Sequence, residues 1–211
     1  SEEIPSKLQI DARKKIKKEI EERLTKKEIN FESSRSFSTP KRLVFILDKI
    51  SDKIEQNKKI IKGPKVGAPQ AALDGFMKSN RLNKSDIYKK NIEKGEFYFS
   101  EIKPKTIDVL KELQIIIPEA LKSYNWKKSM RWSDYDLNWG RPLKSILTVF
   151  DRKVINFEFH HLSSSNSTYI DTDFEEKKRV FTGFKSYEEY FKKQGIIIDQ
   201  NKREELIKKE F

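Results

Sequence analysis

The chain has 211 residues, 36% of them hydrophobic and 37% charged, with a formal net charge of +12 and no cysteine. That length and apolar share suffice for one large domain or two small ones around a real core; zero cysteines exclude disulfides and thiolate metal sites, and no apolar run approaches the roughly 18 residues that cross a bilayer. The excess charge invites a nucleic-acid reading through counterion release, but 35 lysines against 10 arginines, with 24 isoleucines, is also what an AT-rich coding sequence produces, so clusters decide and the total does not.

Residues 5–29 read as a helix, because Ile4, Leu8, Ala12, Ile16, Ile20 and Leu24 recur every fourth residue among lysine, arginine and glutamate. Pro5 suits its first turn, and Glu2 and Glu3 sit at the positive end of its dipole. The basic run at residues 13–18 reads as a solvated face. Alternation from Phe31 to Phe37 predicts a half-buried strand closed by a turn at Ser38-Thr39-Pro40. Five apolar residues in a row at 43–47 suit a central strand covered on both faces, and a polar strand over residues 53–62 suits an edge.

Gly63-Pro64-Lys65-Val66-Gly67-Ala68-Pro69 reads as a loop, with Pro69 opening a short helix whose apolar side is Ala72, Leu73, Phe76 and Met77. The loop fits neither nucleotide-binding glycine pattern. Residues 87–92 and 96–102 flank Glu93-Lys94-Gly95, a hairpin signal, and Pro104 is expected to end the second strand. A helical stretch over 106–124 follows, with Ile107, Leu110, Leu113, Ile117 and Leu121 as its stripe and Pro118 breaking it in two.

All three tryptophans, Trp126, Trp132 and Trp139, fall within residues 122–143, where Lys127, Lys128, Arg131 and Arg141 also lie. Tryptophan and arginine together anchor interfaces and stack on planar partners; the same rings could equally plug a junction between two lobes, and the arginines could serve ion pairs or phosphates. Residues 143–150 and 154–159 then read as a second hairpin around Asp151-Arg152-Lys153. His160 and His161 would point to opposite sheet faces, and residues 163–167 form a polar loop. From Ser186 the chain is helical again, with Tyr187, Tyr190 and Phe191 on one face, then a helix capped by Asp199 that runs to the last residue and reads as a fragment of something longer. No nucleophile–base pair, metal cluster or phosphate loop stands out.

Six segments, in this order, resemble the N-terminal region of the β subunit of bacterial glycyl-tRNA synthetase, the form with separate α and β chains: Glu2-Glu3-Ile4-Pro5, Ser38-Thr39-Pro40-Lys41-Arg42-Leu43, Lys62-Gly63-Pro64, the run from Ala71 to Phe76, Met130-Arg131-Trp132, and Arg141-Pro142. The resemblance implies a tRNA ligase assembled as a heterotetramer, whose ATP, with Mg, and glycine are bound by the α subunit. The β subunit would engage tRNA(Gly) and complete the assembly. No cofactor is then expected on this chain. Where the resemblance calls for a basic Gly-His-Arg-Phe-like segment, the chain has Tyr169-Ile170-Asp171-Thr172-Asp173-Phe174, which argues against a phosphate contact there.

The expectation is an α+β, cytoplasmic protein: an N-terminal helix with mixed or antiparallel strands, hairpins and short helices, then the start of a helical region. It divides as an N-terminal lobe at 1–125, a Trp/Arg segment with a hairpin at 126–183, and a helical start at 184–211. Lys41, Arg42, Lys65, Lys127, Lys128, Arg131 and Arg141 are the candidate phosphate contacts, and Trp132 is the candidate stacking ring. The alternative is a protein-interaction scaffold without RNA contact, in which the Trp/Arg segment packs a junction or the α chain.

Overall fold

The computed structural model describes residues 1–55, 59–102, 106–172 and 175–210. In chain order the elements are α1 (Ser6–Lys26), β1 (Ser33–Thr39), β2 (Arg42–Asp48), β3 (Lys53–Glu55), β4 (Lys59–Lys65), α2 (Gln70–Asn80), a 3-10 turn at Lys84–Asp86, β5 (Ile87–Ile92), β6 (Gly95–Ile102), β7 (Thr106–Asp108) and α3 (Val109–Ser123). They continue with β8 (Met130–Arg131), β9 (Asn138–Trp139), β10 (Ile146–Leu147), β11 (Val149–Phe150), β12 (Lys153–Val154), β13 (Glu158–Phe159), β14 (Leu162–Ser165), β15 (Ser167–Thr172), β16 (Glu175–Val180), α4 (Phe184–Lys193) and α5 (Gln200–Glu210). This is the expected α+β class, with several small antiparallel sheets and hairpins and a parallel pairing of β10 with β14. The chain divides into two compact units, Ser1–Asp52 with Asp108–Phe211, and Lys53–Ile107. Both divisions expected from the sequence, at 125/126 and 183/184, fall inside the first unit.

In the first unit, α1 buries the stripe read from the sequence: Leu8, Ala12, Ile16, Ile20 and Leu24. It packs on α3, which buries Val109, Leu113, Ile116 and Ala120. Each large aliphatic side chain removed from water there contributes about 1.5–3 kcal/mol. Arg23 Nη1 reaches Glu119 at 2.6 Å and Lys27 reaches Glu112 at 3.2 Å, pinning the pair in register at its edge. Two expectations for α3 fail. Its buried face is rotated from the expected stripe, so that Leu110, Ile117 and Leu121 are only half-buried. Pro118 also lies inside one continuous helix. Proline removes one hydrogen bond and crowds the preceding turn, but Leu113 and Ile116 on one side and Ala120 on the other hold the backbone against α1, and tertiary packing outweighs the local penalty.

β1 and β2 form an antiparallel hairpin with Thr39 opposite Arg42, so the turn is Pro40-Lys41, slightly later than expected. Arg35 binds Asp48 through Nε at 3.0 Å and Nη2 at 2.9 Å; hydrogen bonding from Arg35 first, then from Ser33, outweighs burial and holds the Asp48 carboxyl below its ordinary range. The run at 43–47 is not a central strand, because among the described residues β2 pairs only with β1. Val44 and Ile46 instead face the cluster of Phe37, Phe181, Tyr187, Phe191 and Ile198 built by α4. Leu43, Leu47, Leu113, Ile117, Leu147 and Val149 are among the side chains lining an apolar cavity of about 480 Å³ on the same strand.

The second expected hairpin is present but short: Val149 pairs with Val154 across Asp151-Arg152, whose φ values of 45° and 63° mark a tight turn in the left-handed region. Residues 154–159 do not form one strand, since β12 ends at Val154 and β13 begins only at Glu158, before turning back on β14 at His160-His161. The histidines therefore sit in a turn and not on two faces of a strand. The expected polar loop at 163–167 is also strand: Ser164 is buried and donates to the Ile155 carbonyl at 2.7 Å while accepting from Phe157 N–H at 2.7 Å. β15 pairs with β16 through Thr168 opposite Arg179 and Tyr169 opposite Lys178, and Asp173 and Phe174 lie outside the described residues. Asp199 caps α5, accepting from Asn201 N–H at 2.9 Å.

In the second unit, the expected strand over 53–62 is two strands. β4 is an edge of the three-stranded sheet β4-β6-β5, while β3 pairs with β7. Gly63-Pro64-Lys65 belongs to β4, with a register irregularity between Lys62 and Lys65, so the loop starts later than expected. The hairpin at Glu93-Lys94 is as expected, with Ile92 opposite Gly95. Pro104 lies outside the described residues.

Candidate nucleic-acid interface

The tryptophan segment leaves α3 through an aromatic floor. Tyr124 is buried and donates its hydroxyl to Asp11 at 2.8 Å. That hydrogen bond is the main cause holding the Asp11 carboxyl below its ordinary range, with Lys15 adding to it and burial opposing. Tyr124 stands edge-on to Trp126 with centroids 5.0 Å apart, Trp126 meets Trp139 at 4.9 Å, and Trp139 meets Phe159 edge-on at 5.7 Å. Trp126 lies directly on Gly140, where a Cβ would overlap its ring carbons. Glycine is required there for close approach.

From this floor β8 and β9 rise as a two-stranded ribbon, Met130 opposite Trp139 and Arg131 opposite Asn138. The residues beyond the last pair form its tip. Arg131 closes the tip on itself, donating from Nη2 to Asp136 at 2.7 Å and from Nε to the Tyr135 carbonyl at 3.1 Å. Trp132 is thereby left 53% exposed and Tyr135 43% exposed. Tyr135 stacks on His161 with centroids 3.7 Å apart and ring planes 8° from parallel. Lys127 and Lys128, at the foot of the ribbon, are exposed. The ribbon thus presents an exposed ring, Trp132, at its tip and exposed cations at its foot, the chemistry that unpaired bases and phosphates recognise.

The other candidates are placed differently. Arg42 is turned inward: Nη2 donates to the Tyr169 carbonyl at 3.0 Å and its guanidinium lies 4.2 Å from the centre of the Phe191 ring. Burial pushes the nearby Tyr187 hydroxyl up to about 12, with Arg42 pulling the other way. Arg141 is half-buried and donates to the Gly140 carbonyl at 3.1 Å. Lys41 is half-buried at the Pro40-Lys41 turn. Lys65 is exposed in the second unit, with its stem across Gly95.

Segments that are far apart in the sequence meet here. The first residues run between two others: Ser1 N donates to the Lys41 carbonyl at 3.0 Å, Ile4 N–H to Pro40 at 2.7 Å and Glu2 N–H to Pro142 at 3.0 Å. In the second unit, Gly63 packs on Phe76, a Cβ there falling 2.9 Å from the ring. The pairing of Tyr135 with His161 had no sequence signal, because it joins residues that only the β13–β14 turn brings together. Among the described residues no group of three metal-ligating side chains converges, and no helix is long and apolar enough to cross a membrane.

The family described as glycyl-tRNA synthetase beta subunit matches residues 1–211. The chain is similar to the glycine–tRNA ligase beta subunit of Rickettsia bellii, 34% identical over 209 residues that cover 99% of this chain and 32% of the relative. It is 34% identical to that of Rickettsia felis over 212 residues, covering 99% and 32%, and 34% identical to that of Rickettsia akari over 178 residues, covering 84% and 27%. The chain thus spans about a third of the length of the curated relatives it matches. Matched over all its residues, it belongs to the glycyl-tRNA synthetase β-subunit family, in the N-terminal region that the six segments indicated.

Proposed function

We propose that this chain is part of a cytoplasmic glycine–tRNA ligase in which it engages tRNA(Gly) and supports assembly with the α subunit, while ATP, with Mg, and glycine are activated on the α subunit. The family match supports the ligase assignment. The observation that carries direct RNA contact is the exposure of Trp132 at the tip closed by Arg131, on a ribbon whose foot carries the exposed Lys127 and Lys128. In this reading Lys127 and Lys128 meet phosphates, Trp132 stacks on an unpaired base, and Arg131 both shapes the tip and adds charge. Lys41, Lys65 and Arg141 are secondary phosphate contacts. Arg42 could join them only by releasing Tyr169 and Phe191.

Titration of the chain with tRNA(Gly) at two salt concentrations tests this. Affinity should fall steeply with salt, each phosphate contact adding roughly 0.7–0.9 to the log–log slope, and the double variant Lys127→Ala, Lys128→Ala should flatten that slope. Salt-independent or absent binding refutes RNA contact. The scaffold reading is favoured by one set of observations, the inward commitment of Arg42 and the burial of Trp139 and Tyr124. It requires that Trp132→Ala weaken capture of the α subunit more than it weakens tRNA binding.

A further inference from the structure

The second unit carries an arrangement that the ribbon does not need. Residues 53–107 hold 13 lysines and arginines against 6 aspartates and glutamates, a net +7 of the chain's +12. In its sheet, Lys62 lies opposite Phe99, which lies opposite Tyr88; Lys65 lies opposite Phe97, which lies opposite Lys90. Directly opposed residues of an antiparallel sheet share a face, so these six side chains form two cross-strand rows on one surface, each with phenylalanine at its centre. Gly63 follows Lys62 and points to the opposite face, where it meets Phe76 of α2. α2 therefore packs on one face; on the other, Phe99 is buried and Phe97 half-buried among Tyr88 and the lysines, so Tyr88 is the ring that reaches solvent.

On that helix-free face Tyr88 is 38% exposed, and Lys62, Lys65 and Lys90 are exposed. Tyr88 and Phe99 stack with centroids 6.2 Å apart and planes 26° from parallel, and Lys62 Nζ lies 3.6 Å from the centre of the Phe97 ring. A lysine resting on a ring at the surface is held weakly, so it can swing to a phosphate and release the ring to a base. Lysine is depleted from the centres of protein–protein interfaces, whereas rings set among lysines on an open sheet are how single strands are gripped. A duplex hides its base faces and gains only the charge.

We propose that this face binds a single-stranded stretch of RNA, an unpaired base stacking on Tyr88 while Lys62, Lys65 and Lys90 hold the backbone. It shares its partner class with the proposed function but stands on other residues in a separate unit. The test is fluorescence anisotropy of the full chain with a short labelled oligouridine and with a duplex of equal length. The single strand should bind more tightly. Tyr88→Ala should lose about tenfold in affinity with an unchanged melting temperature, Tyr88→Phe should bind like the parent, and Lys62→Ala with Lys65→Ala should flatten the salt slope by roughly 0.7 per lysine. Tyr88→Ala should lose the same factor in a Trp132→Ala background as in the parent, which separates this site from the ribbon. Equal affinity for duplex and single strand, parental binding by Tyr88→Ala, or an effect of Tyr88→Ala that disappears in the Trp132→Ala background overturns the assignment.

Discussion

Trp139 and Trp132 belong to the same short ribbon, yet one is 4% exposed and the other 53%. Trp139 sits in the pair at the base, hemmed in by Trp126 and Phe159; Trp132 stands one residue beyond the last pair, at the tip. Identical side chains therefore do opposite work, the first tying the segment to the fold and the second facing outward. The difference teaches that a cluster of tryptophans in a sequence is not one object. Strand pairing divides it into a packed part and a presented part.

Substitutions that attack the packed part should have the largest effects. Trp139→Ala empties the centre of the aromatic floor and should cost about 3–5 kcal/mol in urea denaturation. Gly140→Ala forces a methyl into Trp126, whose ring is already bounded by Tyr124 and Trp139; a loss of about 1–3 kcal/mol is expected, and a neutral result would mean the floor is loosely packed. Trp132→Ala, by contrast, should shift stability by less than about 0.5 kcal/mol. The tip's own ion pair, with side chains 57% and 87% exposed, is weak as well: a double-mutant cycle on Arg131 and Asp136 should return no more than about 1 kcal/mol.

Titration sharpens the contrast with the α4 cluster. Tyr187 keeps its proton longer when folded, its hydroxyl pushed up to about 12 by burial, against roughly 10 for a free tyrosine. Its stabilising effect is therefore complete below about pH 10 and is lost as pH rises through the folded value. Asp48 has the opposite sign: Arg35 holds its carboxyl low, so its effect is present above the ordinary carboxylate range and is lost as pH falls through the lowered value. Melting curves of Tyr187→Phe and Asp48→Asn should flatten the alkaline and acid limbs respectively. An unchanged alkaline limb in Tyr187→Phe would contradict the cause assigned here.

The parts legible in the sequence were those whose information is local. The α1 stripe repeats every fourth residue and the hairpin at Glu93-Lys94 carries its own turn signal, and both are formed as read. Pro118 misled because a local rule met a helix held on both sides by packing. Ser164 misled because its polarity is satisfied inside the sheet by Ile155 and Phe157. For the candidate site, residue types were legible but direction was not: Arg42 faces Phe191, and Lys127 faces solvent. The alternation that sets Phe97 and Phe99 on one face of β6 was present in the sequence. Its meaning appeared only when β4 and β5 supplied lysines and Tyr88 on either side.

The division between a packed and a presented tryptophan is tested most directly by measuring Trp132→Ala twice, once by thermal melting and once by titration with tRNA(Gly). A parental melting temperature with binding weakened by about tenfold is the expected pair of results. A lowered melting temperature with parental tRNA affinity would contradict the account and make Trp132 part of the scaffold.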